Sequence, residues 1–400
     1  MSEPVETRPL RLLMAVTYYR PHVSGLTVYV QRLAEALALR GHLVTVLTSR
    51  FRDDLPHVET VRGVRIVRVP VLARISKGVV LPTFLPRALR LLRESDLAVI
   101  NLPASPSEAV LLPLAARIAV RRPTVAIYHC DVRLPGGIHT RLLDRAVFLC
   151  NLTAASLVRR IVAYTEDYAR HSELLRRFPD KIEVIAPPVV MPEPDPSAVE
   201  AFRRRFAPCG ERLLCVASRL AAEKGIEDIL RALPIVRRHV GPVRVLFAGD
   251  DRHTIGEEAN RRKLQPLVAA QGDAWVPLGI LDTAELAVVF AASSVTLLPS
   301  VNSTESFGLV QVESMLCGTP VVASDLPGVR VPILTTGMGR ITPARDHVAL
   351  AAAVVELITN RSRYLKPRPE IERLFSFPET VARWEQLATE LVARAPRLHH

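Results

Sequence analysis

The sequence predicts an α/β protein built as two αβα sandwiches with a cleft between them. Three observations carry this expectation. Short apolar runs alternate with longer amphipathic ones through the first half of the chain. A proline-rich stretch then interrupts the alternation. Beyond it the same texture restarts and continues towards the C-terminus.

In order, Leu12–Thr17 reads as a strand, and Thr27–Arg40 as a helix closed by Gly41. Leu43–Thr48 and Val64–Val69 are Val- and Thr-rich strands. Leu97–Leu102, Thr124–His129, Ile161–Thr165 and Ile182–Ile185 continue the series, with helical segments between them. Such strands, separated by helices, suit a parallel sheet buried on both faces. From Ala186 to Pro196 the chain carries five prolines in eleven residues. That density cannot continue a helix or an inner strand, so it marks the domain boundary. The second series of strands is Leu213–Ala217, Val243–Ala248, Trp275–Leu278, Val295–Leu298 and Pro320–Ala323. Helices fit at Ile226–Val240, Glu257–Ala270, Thr283–Ala292 and Gly308–Cys317. A last helix, Pro378–Ala393, carries apolar residues at Val381, Trp384, Leu387, Leu391 and Val392. The predicted domains are 1–188 and 197–375, and ligands are expected in loops after the strands.

The chain has 400 residues, 49% hydrophobic and 5% aromatic, so its cores must be aliphatic. Its net charge of +12 suits anionic phosphates, an anionic membrane or nucleic acid. The basic residues are dispersed, and no nucleic-acid-binding motif or interleaved stacking aromatics accompany them, so no nucleic-acid partner is expected. Five cysteines without a CxxC pair indicate free thiols in a reducing compartment. No apolar signal segment opens the chain and no uncharged run spans a bilayer. A cytoplasmic location is expected. Arg87, Arg90 and Arg93, spaced along one helix with Leu85, Leu89, Leu91 and Leu92, would allow peripheral contact with the anionic inner face of a membrane.

Four segments carry chemistry. The first runs from Leu298 to Arg330. A strand ends near Ser300, a loop delivers Glu305, and a helix begins near Gly308 with Glu313 on it. Backbone N–H groups at Ser306, Phe307, Gly308, Leu309 and Val310 are placed for an anion or for sugar hydroxyls. The two carboxylates are acceptors for paired hydroxyls on different parts of one long ligand. The second segment is Ser218-Arg219-Leu220-Ala221-Ala222-Glu223-Lys224-Gly225. It brings two cations to a helix start, the makings of a diphosphate site. Lys224 is one of only five lysines, against 47 arginines. The third is Tyr18-Tyr19-Arg20-Pro21-His22-Val23-Ser24-Gly25, between the first strand and first helix, where amides near Gly25 can face a phosphate. The fourth is Tyr128-His129-Cys130-Asp131 at a strand end. Neighbouring His, Cys and Asp side chains diverge, so no metal site is expected.

The Leu298–Arg330 block resembles the Glu-x7-Glu motif of the retaining group 1 glycosyltransferases, family four. The Arg219–Gly225 segment is similar to that family's Arg…Glu-Lys-Gly element. Tyr18–Gly25 resembles its Pro-His-x-Gly-Gly loop, with Ser24 standing where the first glycine would be. The resemblance extends over nearly the whole chain. It implies a GT-B architecture: two Rossmann-like αβα domains facing a central cleft, donor on the C-terminal domain, acceptor on the N-terminal one. Residues 378–400 would cross back onto the N-terminal domain.

It also implies roles. Glu305 would contact the donor sugar, and Glu313 the ribose. Arg219 and Lys224 would hold the diphosphate. Ser306–Val310, with Ser24 and Gly25, would complete the donor site. His129 would act near the sugar, while Asp131 and Tyr19 are assigned to the acceptor. The implied reaction moves a hexosyl group from a UDP- or GDP-sugar to a glycan or lipid-linked acceptor, with retention and without a metal or other cofactor. Three alternatives compete. An epimerase of the same fold would convert donor alone. A pyridoxal-phosphate phosphorylase would need a Schiff-base lysine, and none of Lys77, Lys181, Lys224, Lys263 and Lys366 sits in such a context. A non-catalytic binding protein of this fold would not need both acids and both cations.

Overall fold

A computed structural model describes residues 8–75, 78–132, 138–250 and 257–395. Lys77, weighed above, lies outside them. The chain forms two compact units, 1–188 with 378–400, and 189–377.

The first unit is built on strands β1 (Arg11–Ala15), β2 (Leu43–Arg50), β3 (Val58–Val61), β4 (Val64–Pro70), β7 (Leu97–Leu102), β8 (Thr124–Tyr128), β9 (Arg160–Ala163) and β10 (Ile182–Val184). A small hairpin, β5 (Ala73–Ile75) with β6 (Gly78–Val80), stands apart. The large sheet runs β10-β9-β8-β7-β1-β2-β4-β3. Every pairing is parallel except β3 with β4. Inner strands β7 and β8 are buried along their whole length, as near-continuous apolar runs require. Helices α1 (Gly25–Leu39), α2 (Phe84–Glu94), α3 (Leu112–Ala115), α4 (Ile138–Leu157) and α5 (Glu166–His171) connect them. Phe84, Leu92, Ile100 and Leu112 sit in the core.

Helix α1 starts two residues before the sequence reading placed it, because Ser24 caps it. Ser24 is extended (φ −155°), and its hydroxyl accepts from Thr27 N while Ser24 N donates to Thr27 Oγ1 at 2.8 Å. A serine in this place therefore needs no left-handed backbone, and its side chain satisfies an end that a glycine would leave open. Gly41 ends the helix at φ +91°.

The second unit opens with an irregular segment in which Val189 and Met191 are buried. Pro196 then takes the first turn of α6 (Pro196–Phe206), where a missing N–H costs nothing, with Asp195 as the cap. Strands β11 (Arg212–Ala217), β12 (Val243–Ala248), β13 (Trp275–Gly279), β14 (Val295–Leu298), β15 (Val321–Ser324) and β16 (Gly339–Thr342) form one parallel sheet, order β13-β12-β11-β14-β15-β16. Helices α7 (Ile226–Val240), α8 (Glu258–Ala269), α9 (Thr283–Ala292), α10 (Leu309–Leu316), α11 (Val331–Thr336), α12 (His347–Thr359) and α13 (Arg368–Leu374) cover it. The final helix, α14 (Phe377–Ala393), belongs to the first unit from residue 378 onward. Among the described residues, no helix is long and apolar enough to cross a membrane.

Both sheets reverse strand order once: beside β1 and β7 in the first unit, beside β11 and β14 in the second. Loops leaving the carboxyl ends of those strands diverge and leave a crevice, the place where such sheets bind ligands.

Candidate active site

In the second unit the crevice is lined by the loop after β11 and the loop after β14. Gly225 lets the first approach the second. It adopts φ +65°, and a Cβ there would lie 1.9 Å from the Pro299 carbonyl oxygen. Val301 N donates to the Glu223 carbonyl at 2.9 Å, tying the two loops together. Lys224 Nζ then donates to Glu305 Oε2 at 2.5 Å, and Ser300 Oγ reaches the same oxygen at 3.4 Å. Both charged side chains are largely buried, 19% and 15% exposed. Beside them Arg219 Nη2 donates to Glu223 Oε1 at 3.3 Å. Ala222 N donates to Glu257 Oε2 at 2.9 Å, which fixes the turn that carries Lys224. Two cations and their carboxylate partners thus converge on one crevice, where reduced hydration strengthens charge interactions.

The start of α10 faces the same loops. Gly308 takes φ +73°, and a Cβ would meet Leu298 Cδ2 at 2.3 Å. Ser306 and Phe307 are buried, while Leu309 and Val310 are half-buried. Gln311 secures this turn by donating to the carbonyls of Phe307 (2.7 Å) and Val329 (2.8 Å). Glu313 is buried on the helix, two turns from Glu305.

In the first unit the crevice lies beside β1 and β7. Thr17, just after β1, donates from its hydroxyl to Glu108 Oε2 at 2.5 Å, and its carbonyl accepts from Ser49 Oγ at 2.5 Å. Glu108 is fully buried, and burial holds its carboxyl above the ordinary range. Ser105 N and Oγ also donate to it, at 3.2 and 3.1 Å. Ser24 and Gly25 sit at the α1 start, half-buried and exposed respectively. Tyr19, assigned above to the acceptor, lies under the loop after β1. Tyr19 is 1% exposed and fills the core beneath the loop, where its ring contributes apolar area rather than a contact surface. Its neighbour Tyr18 lies against His22 and Phe51, with ring centroids 5.0 and 5.6 Å away.

His129 follows β8. Asn101 Nδ2 is spent on the Ala15 carbonyl at 2.8 Å, so Asn101 Oδ1 accepts from His129 Nε2, also at 2.8 Å. Nδ1 accepts from the Tyr164 hydroxyl. Burial pushes the imidazole down to about 3, so the ring is neutral in the folded protein. With both nitrogens held by protein groups, His129 anchors Asn101 and Tyr164 and has no ring nitrogen left for a hydroxyl. Asp131 lies beyond it. Its Oδ1 accepts from Tyr128 (2.7 Å) and Ser172 (2.8 Å), and its backbone N donates to the Tyr168 hydroxyl at 2.5 Å.

The His129 environment gives a pH prediction. The folded ring resists a proton that the unfolded chain binds below about 6.5. Its contribution to stability is therefore complete above pH 6.5 and lost as pH falls towards 3. The pH dependence of unfolding free energy should be shallower in His129→Gln by up to about 1.4 kcal/mol per pH unit in that window. Urea titrations between pH 7 and 4.5 measure it, and parallel curves for the two proteins would rule it out.

Sequence reasoning missed Glu108 and Asn101, and gave Glu223 no role although it stands in the quoted motif. A lone carboxylate at the head of the apolar run 109–116 was the available signal for Glu108, and the i,i+4 spacing from Arg219 for Glu223. Asn101 gave none, since it sits within an otherwise apolar strand.

Two family models match the chain: one described as Glycosyl transferases group 1, over residues 211–360, and one as Glycosyltransferase Family 4, over residues 23–191. Phosphatidyl-myo-inositol mannosyltransferase of Mycobacterium leprae is 29% identical over 400 residues, covering 96% of each chain. GDP-mannose-dependent alpha-mannosyltransferase of Mycobacterium tuberculosis is 29% identical over 380 residues, covering 89% of this chain and 90% of the relative. Among solved structures, Anabaena HepE in complex with UDP and glucose superposes with a TM-score of 0.76 at 16% identity, over 95% of this chain and 100% of that one.

Proposed function

Because the chain belongs to the group 1, family four glycosyltransferases of the GT-B fold, we propose that it moves a hexosyl group from a UDP- or GDP-sugar to a glycan or lipid-linked acceptor with retention of configuration. The observation that carries this reading is the Lys224–Glu305 pair at 2.5 Å, with Arg219 beside it, at the crevice of the second sheet.

In this reading Arg219 and Lys224 take the donor diphosphate. The bond between the anomeric carbon and the β-phosphate oxygen breaks, and charge grows on the leaving nucleotide. Two fixed cations in a poorly hydrated crevice stabilise that charge more than they stabilise the bound donor. The first-turn amides from Ser306 to Val310 add to them. Glu305, released from part of its pairing as the diphosphate engages Lys224, accepts from sugar hydroxyls, and Glu313 accepts from the ribose. The acceptor oxygen forms the new bond on the face the nucleotide leaves, and its proton passes to the departing phosphate. No metal is needed, since the two cations supply the positive charge. The family resemblance assigns Ser24 and Gly25 to the donor as well. Asp131 orients the acceptor. His129 serves as a positioning residue through Asn101 and Tyr164.

The relatives' names make GDP-mannose the first donor to try. Differential scanning against GDP-mannose, UDP-glucose, UDP-galactose and UDP-N-acetylglucosamine is expected to give one clear stabilisation, since a ligand held only by the native state raises its melting temperature. The selected donor should then be consumed only when an acceptor is supplied, at a rate unchanged by a chelator, and the product should keep the donor's anomeric configuration. Conversion of donor alone into another nucleotide sugar would mean an epimerase. An inverted product would remove retention from the reading.

A further inference from the structure

Glu108 stands apart from the residues that the proposed reaction uses. It is fully buried, and among the described residues no cation pairs with it. A carboxyl kept out of water without a counter-ion is costly, and an apolar side chain would fill the same place without that cost.

Part of its role is local. Ser105 N donates to Glu108 Oε2 at 3.2 Å, while Glu108 N and Ala109 N donate to the Ser105 carbonyl at 3.0 and 2.8 Å. An acid thus reaches back to cap the start of its own turn. The turn is wide. Leu112 N donates to the Ser107 carbonyl five residues back, because Pro113 has no N–H and its ring presses on the carbonyl four residues before it. Capping, however, needs neither burial nor a partner outside the turn, and Glu108 has both.

That partner is Thr17, across the switch point between β7 and β1, whose hydroxyl donates to Glu108 Oε2 at 2.5 Å. Thr17 lies in the loop from β1 to α1. The loop is also held from its other side. Ser49 N, Ser49 Oγ and Thr48 Oγ1 donate to the Thr17 carbonyl at 3.2, 2.5 and 3.3 Å, and Arg68 Nη2 donates to the Arg20 carbonyl at 3.1 Å. Those donors belong to β2 and β4. Glu108 supplies the opposing tie, from the β7 side. Its Oε1 is buried without a partner, so all of the side chain's hydrogen bonding is gathered on Oε2. One carboxyl oxygen therefore joins the loops after β1 and β7, the two that bound the crevice of the first sheet.

We propose that Glu108 is a positioning residue of the transfer reaction: acting through the Thr17 hydroxyl, it fixes the spacing of the loops after β1 and β7 and so shapes the first-unit crevice for the acceptor. This rests on the transferase reading, with the acceptor on the first unit.

The test uses the full chain and the variants Thr17→Val, Glu108→Ala and Glu108→Gln. Donor consumption is followed with GDP-mannose and UDP-glucose against three acceptor probes: methyl α-mannoside, myo-inositol 1-phosphate and phosphatidylinositol vesicles. Thr17→Val removes the hydroxyl and leaves Glu108 bonded to Ser105, so it cuts the tie without disturbing the helix start. It is expected to raise KM for the active acceptor at least tenfold and to keep KM for the donor within threefold. Loss of folded protein would instead lower kcat and leave both KM values where they were. Glu108→Ala should act on the acceptor as Thr17→Val does, and the double variant should be no worse than Glu108→Ala, since both changes cut one bond. Glu108→Gln keeps a carbonyl oxygen for Thr17 and should restore the parental acceptor KM, with a lower melting temperature from its buried amide. An acceptor KM within threefold of the parent's in Thr17→Val, or a Glu108→Gln as impaired as Glu108→Ala, overturns the assignment while the transferase reading stands. A parent that consumes neither donor with any acceptor marks failure of that reading, and the positioning role falls with it.

Discussion

Lys224→Ala is expected to lower turnover by about 10²–10³-fold, the usual effect of deleting one fixed donor that meets charge developing in a transition state. The loss should fall mainly on kcat. The ammonium is worth most when the diphosphate leaves, and the change in KM for the donor should be smaller. The surroundings amplify the effect. Lys224 and Glu305 are both largely buried, so deletion leaves the Glu305 carboxylate without its cation in a poorly hydrated crevice. Lys224→Arg will not restore full rate, because a planar fork cannot occupy the point held by Nζ at 2.5 Å from Glu305. Steady-state kinetics with the selected donor measure the split. Circular dichroism of the variant checks the fold, since Gly225 and the bond from Val301 to Glu223 hold the two loops without Lys224. Turnover within threefold of the parent would remove Lys224 from the chemistry.

The second large effect is on stability. Trp384 is 2% exposed on α14, and its Nε1 donates to the Tyr29 hydroxyl at 3.0 Å. Tyr29 is fully buried, stacked on Tyr164 with centroids 5.2 Å apart and edge-on to His129 at 5.3 Å. Trp384→Ala opens a cavity and strands a buried hydroxyl, so a loss of about 3–5 kcal/mol is expected. Trp384→Phe keeps most of the packing and loses the donor, so its cost should be about 1–3 kcal/mol. Urea unfolding with an unchanged m-value reads both. Equal costs for the two variants would mean that the hydrogen bond, not the volume, holds α14 in place.

Much of the fold could be read before the structure was seen. Inner strands such as β7, β8, β14 and β15 are buried at every position and announced themselves as apolar runs. The edges did not. Strand β3 is exposed or half-buried throughout and pairs antiparallel, so its Val-Glu-Thr-Val pattern resembled a loop. Strand β16 is four residues with an exposed arginine, too short to show a period. The second-unit residues singled out in the sequence lie on adjoining loops because their motifs are local: each element is a strand end, a turn and a helix start within a few residues. The first-unit network was harder. Asn101, His129 and Tyr164 come from three separate segments, as do Thr17, Ser49 and Glu108, and only three-dimensional packing makes a group of each. The burial of Tyr19 was hidden for a related reason: neither its neighbours in sequence nor its chemistry says which side of the loop it faces.

Residues 378 onward pack with the first unit although the whole second unit separates them from it in sequence. Arg40 and His42 both bond the Glu385 carboxylate, at 2.7 and 3.0 Å. Domains emerging from a ribosome generally fold as units, the earlier one first. Here that order is reversed in part. The second unit is complete in the chain before α14 has been made, whereas the first must wait for its last helix while Tyr29, Arg40 and His42 lack their closing partners. The nascent first unit is thus the stretch most exposed to aggregation, and it is finished last.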